Sequence, residues 1–146
     1  MSWGSQGRAA ASSVLVLVLL GGCSQQAATR DDLINALRES HSALVAARIA
    51  LETLHRHRTT SAATEIALQD MSQEIADAAY TLGSVDIGSG PDQADRDLAL
   101  AAVSNGEAAL LTARDQFDID GQADPAPLAA ATNQVDRAVD QIRGRR

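Results

Sequence analysis

The sequence predicts an all-α protein, an up-down antiparallel four-helix bundle. Three observations carry this expectation. Apolar residues recur at alternating spacings of three and four in four separate stretches, the rhythm of a helix with one buried face. Clusters of Gly, Pro, Asp and Ser, or a run of basic and hydroxyl residues, separate those stretches. The only aromatics are Trp3, Tyr80 and Phe117, too few for an ordinary β-sandwich.

The first helix is expected from about Arg30 to His57. Thr29 is placed to cap it, and Asp31 and Asp32 put negative charge in its first turn. Its seam is Leu33, Leu37, Ser40, Leu44, Ala47, Leu51 and Leu54, with Ser40 as the one polar interruption. Arg56-His57-Arg58-Thr59-Thr60-Ser61 breaks the apolar pattern. A short turn is expected there, capped by Thr60 or Ser61. One unbroken helix through residue 83 would leave a polar waist with nothing to pack against.

The second helix carries Leu68, Met71, Ile75, Ala78 and Leu82. A loop follows from Gly83 to Pro91. The third helix carries Ala99, Val103, Gly106, Leu110, Ala113 and Phe117. Gly106 costs up to about 1 kcal/mol relative to Ala inside a helix, and a close helix crossing would account for it. Residues 118–124 are expected as the next loop, with Asp124 as a cap and Pro125 as the first helical residue. The fourth helix carries Leu128, Ala131, Val135, Ala138 and Ile142 and ends at Gly144. Short connections favour antiparallel neighbours. Alanine-rich seams favour close packing and leave little room for a buried cofactor, so none is expected.

Before this domain lies a different kind of segment. Arg8 is its only charge, and Ala9 to Leu20 is an apolar run of 12 residues. A helix of that length spans about 18 Å, short of the roughly 30 Å hydrocarbon core. A charged start, a short apolar run and small residues form the layout of a secretory signal peptide. Its end, Leu20-Gly21-Gly22-Cys23, resembles a bacterial lipobox. The resemblance covers only these first residues. It implies cleavage between Gly22 and Cys23, a diacylglycerol on the Cys23 thiol, and a chain held at the extracytoplasmic face of the cell membrane. On this reading residues 1–22 are the signal peptide, 23–29 the lipidated N-terminus and tether, and 30–146 the bundle domain. Cys23 is the sole cysteine, so the core must hold without disulfides.

Residues 23–146 carry 19 acidic residues against 11 arginines, a net charge of −8. That balance argues against a nucleic-acid partner. The chemical inventory is thin. Glu52 and His55 form one Glu-x-x-His step, where dimetal bundles use two, and His57 is the last histidine. On a helix His55 and His57 diverge by about 200° and cannot share an ion unless the segment is a loop, and an exposed basic turn is the expected account. Asp118-Ile119-Asp120-Gly121 fails as an EF-hand, because the first and twelfth loop positions fall on Gln116 and Pro127. His41 lies between Ser40 and Ser42, but adjacent helical residues do not face one another. No metal site is expected.

The function these features imply is non-enzymatic: an adaptor, spacer or accessory interaction protein at the membrane surface, anchored through Cys23 and meeting an unidentified protein. A ligand-binding or sensory four-helix domain is the alternative. An even number of helices returns the C-terminus to the anchored end, so Arg143, Arg145 and Arg146 are expected to contact the membrane. The opposite end gathers Arg56, Arg58, Asp118, Asp120 and Asp124 as a mixed-charge tip facing the partner.

Overall fold

The structure, a computed structural model, describes residues 21–87 and 90–145, with residues 21–28 described by their backbone alone. Four helices follow in order: α1 (Gly21–His55), α2 (Ser61–Ser84), α3 (Pro91–Asp120) and α4 (Ala126–Gly144). They form the expected up-down bundle. Neighbours in sequence pack side by side, α4 closes against α1, and α1 also meets α3 across the centre. Among the described residues α2 and α4 do not meet, so the cross-section is a rhombus with α1 and α3 on its short diagonal.

Small residues make that diagonal possible. A Cβ added to Gly106 would lie 3.1 Å from Leu44 Cδ1. The missing side chain lets α3 approach α1 at the level of a fully buried leucine, the close crossing that the mid-helix glycine implied. The seam positions converge on one core, in which Leu37, Leu44, Leu51, Ile75, Leu82, Val103, Leu128, Val135 and Ile142 are all fully buried. Leu54 and Met71, at the seam's edges, are only partly covered. Ser40 is also buried. Its hydroxyl donates to the Ala36 carbonyl oxygen at 3.1 Å, which removes the cost of an unpaired polar group.

Helix ends differ from the expectation: α2 runs two residues into the expected loop and α4 starts one residue late, and three further differences have local reasons. The described part of α1 reaches back to Gly21, so Thr29 lies inside the helix and residues 23–29 are helical rather than a tether. Gln25, Gln26, Ala27 and Ala28 are good helix formers, and no proline interrupts them. The same helix stops at His55, because His57 adopts a left-handed backbone (φ 54°). His57 N–H then donates to the Leu54 carbonyl at 2.8 Å and Arg58 N–H to the Thr53 carbonyl at 3.0 Å, the paired bonds of a Schellman turn. Thr60 starts α2 by accepting from the Ala63 N–H at 3.2 Å. The third difference is at α3, which runs through Asp120 and ends on left-handed Gly121 (φ 68°). Asp118 and Asp120 therefore sit on its last turn, not in a loop.

Asp124 Oδ1 accepts from the Ala126 N–H at 2.9 Å, but Pro125 rather than Asp124 holds the N-cap position, and α4 starts one residue later than expected, at Ala126. None of the helices among the described residues is long and apolar enough to cross a membrane.

Candidate functional site

The alternation of helices brings the first part of α1, the end of α2, the start of α3 and the end of α4 to one end of the bundle. A carboxylate is buried there. Asp95 lies four residues before Ala99, so the seam of α3 extends backwards onto it, and it is 1 % exposed. Burying a carboxylate is costly unless it is paired. Two arginines from other elements pair with it. Arg145, just past α4, places Nη1 2.7 Å from Asp95 Oδ1, and Arg30 of α1 places Nη2 3.5 Å from Oδ2. Beside them Arg96 Nη2 donates to the Gly83 carbonyl at 2.7 Å, which ties α3 to the end of α2. Polar contacts thus join all four helices at this end. They are not saturated: the Nε atoms of Arg30 and Arg96 are shielded from solvent and have no hydrogen-bond partner.

Outside this pair of ion bridges lies an open groove of about 410 Å³, walled by Arg30, Asp31, Ile34, Asn35, Arg38 and Arg143. Three guanidinium groups and one carboxylate make it cationic in a protein that is otherwise acidic. Among the described residues Arg38 is held by a long hydrogen bond from Nη1 to Asn35 Oδ1, 3.4 Å. A second groove of about 460 Å³, between α1 and α2, is walled by Arg38, Glu39, Ser42, Glu74 and Asp77. A third, smaller one of about 210 Å³ lies between α3 and α4 beside Leu98, Asn105, Gln134 and Arg137. Among the described residues no three His, Cys, Asp or Glu side chains are grouped so as to hold a metal ion. His41 faces Asp136 of α4, with Nε2 3.4 Å from Oδ1, and both are well exposed. What this surface can do chemically is bind an anion.

The residues expected from the sequence are distributed unevenly over this geometry. Gly22 and Cys23 lie on the backbone of α1. The Cys23 side chain and residues 1–20 are outside the described residues. Of the three arginines expected to meet a membrane, two are described at this end of the bundle. Arg143 walls the cationic groove, Arg145 is engaged by Asp95, and Arg146 is outside the described residues. No family model, curated protein or solved structure matches this chain. The site is therefore read from its own geometry.

At the opposite end, Arg56, just past the end of α1, pairs back onto Glu52 of that helix, Nη2 to Oε2 3.9 Å. Asp124 is occupied by the Ala126 N–H. Among the described residues no ion pair joins Arg56 or Arg58 to Asp118, Asp120 or Asp124. Between the two aspartates stands Ile119, a large apolar residue that is 81 % exposed.

Asp95 and Arg30 were not singled out in the sequence. A signal for Asp95 existed: one further step of the α3 rhythm places an acidic residue on the core face, and such a residue demands a cation. Nothing in the sequence named which arginines would answer.

Proposed function

We propose that this protein is a lipid-anchored, extracytoplasmic helical bundle that acts without catalysis, as an adaptor, spacer or accessory subunit at the membrane surface. The observation that carries the reading is the segment Val14–Cys23, an apolar run closed by Leu20-Gly21-Gly22-Cys23. The fold is compatible with it. The helix α1 continues back to Gly21, so it would act as a stiff riser and set the bundle directly on the acylated residue. An interaction role is supported by a core filled with leucine, isoleucine and alanine, and by grooves that are open to solvent rather than enclosed. The far tip, with exposed Ile119 between two aspartates and two arginines across from it, is the face offered to a partner protein.

The test is the intact mass and membrane fractionation of the protein made in a bacterial host. Wild type should start at Cys23 and carry the mass of a diacylglycerol. Cys23→Ala should lose both the lipid and normal cleavage. A wild-type chain that starts elsewhere with no added lipid overturns the anchoring reading.

A further inference from the structure

We propose that the groove between the beginning of α1 and the end of α4 is a binding site for a phosphate ester, held by Arg30, Arg38 and Arg143. Each of the three contributes differently. Arg30 is half-buried and fixed from behind by Asp95, so its orientation is set before any ligand arrives. Its Nε is shielded from solvent and has no hydrogen-bond partner. Arg38 stands two turns further along the same helix and is exposed, and among the described residues it forms no ion pair. Arg143 closes the opposite wall from the last turn of α4, where a cation is also favoured by the helix dipole. Planar guanidinium groups match the oxygens of a phosphate two at a time. Asp31 is the one carboxylate in the lining, which leaves the groove with a surplus of two positive charges. Ile34 adds an apolar floor suited to the carbon side of an ester rather than to inorganic phosphate alone.

The division of labour at this end points the same way. A basic tail that merely repelled or attracted surfaces would leave its arginines loose. Here Arg145 and, less closely, Arg30 are engaged by the buried Asp95, while Arg38 and Arg143 line the cavity without an ion pair among the described residues. Position 30 lies seven residues, two helical turns, after Cys23, about 10 Å along the helix axis. If Cys23 is acylated, the groove stands at the depth of lipid headgroups, and a phosphodiester headgroup of an anionic lipid is the source nearest to hand. That choice of source rests on the anchoring reading. The phosphate site itself does not.

Residues 24–146 contain every core side chain from Leu33 to Ile142, so this chain keeps the whole core and is the one to titrate in solution, after its helical circular dichroism and cooperative melt are checked. Two double variants remove the same charge at opposite ends: Arg38→Gln with Arg143→Gln in the groove, and Arg56→Gln with Arg58→Gln at the far tip. Binding is measured to vesicles of phosphatidylglycerol in phosphatidylcholine, to phosphatidylcholine alone, and to glycerol 3-phosphate, with amide shifts of Asn35 and Arg38 followed by NMR. The groove variant should lose affinity by roughly tenfold or more, while the tip variant keeps it. Arg38→Lys with Arg143→Lys should recover part of the loss. Unchanged thermal melts of all variants exclude misfolding as the cause. Vesicle binding that depends on the groove assigns a lipid headgroup. Binding of glycerol 3-phosphate without vesicle binding assigns a soluble phosphate ester to the same site. Equal loss in both double variants, or no binding to any of the three probes, overturns the proposal. Because this chain carries no lipid, its result is independent of whether Cys23 is acylated.

Discussion

Asp95 and Arg145 are 50 residues apart in the chain and 2.7 Å apart in space. One is buried near the start of α3, and the other lies just beyond α4. Their ion bridge, shared with Arg30, closes the end of the bundle at which four separate segments meet. Asp95→Asn keeps the shape and removes the charge, leaving two arginines without their counter-ion. Both arginines reach water, so the loss should fall below the usual cost of breaking a buried pair, at about 2 kcal/mol. Arg145→Gln should cost a similar amount, about 2 kcal/mol, since it leaves the buried carboxylate with only the longer Arg30 contact. Urea midpoints check both. The double variant should cost less than the two singles added. Additive losses would mean that the pair is not coupled.

A glycine and a leucine set the short diagonal. Gly106→Ala gains up to about 1 kcal/mol of helix propensity. The new Cβ would also press on Leu44 Cδ1, at a cost typical of overpacking, about 1–3 kcal/mol. The net change in wild type should be zero to mildly destabilising, and Gly106→Val should be clearly worse. In a Leu44→Ala background the obstruction is gone, and Gly106→Ala should become stabilising. Thermal melts of the four combinations decide it. The same sign in both backgrounds would show that Leu44 is not what keeps the position a glycine.

The turn between α1 and α2 carries an avoidable strain. His57 has φ 54° in a position where glycine is preferred. His57→Gly should preserve both turn hydrogen bonds and stabilise the fold by about 1 kcal/mol. A lowered melting temperature would show that the imidazole makes a contribution larger than the strain it causes.

The far tip separates stability from recognition. Asp118 and Asp120 lie on the last turn of α3, at the negative end of the helix dipole. Asp118→Arg with Asp120→Arg should leave the fold unchanged or stabilise it by about 0.5–1 kcal/mol. In intact cells a photo-crosslinker at Ile119 should capture the partner protein, and the double charge reversal should abolish that capture. A crosslinker at Asn35 that captures the same protein instead would move the partner to the other end of the molecule.

The sequence by itself determined the helices and which face of each is buried. Every α3 position of the apolar rhythm, from Ala99 to Phe117, is in the core, because a period of three and four fixes one side of a helix whatever packs against it. It also determined the separation of α1 from α2 and the local hydrogen bonds of Thr60 and Asp124 at the starts of α2 and α4, since these depend on residues within a few positions of one another. Helix ends were less legible. The stop after His55 needs a left-handed residue that is not glycine, and α1 runs back through residues 23–29, past the expected cap at Thr29. Only the tertiary structure decided that Asp95 is the buried carboxylate and that Arg30 and Arg145, 65 and 50 residues away, answer it. It also decided that α1 and α3 form the short diagonal, and that Arg143 faces a groove while Arg145 does not. The physical reason is the same in each case. A helical period specifies a direction around one axis, whereas an ion pair between helices depends on the height at which separate axes come to rest. That height is set by the packing of the whole core, by Leu44 against Gly106 among others, and is written in no local stretch of the chain.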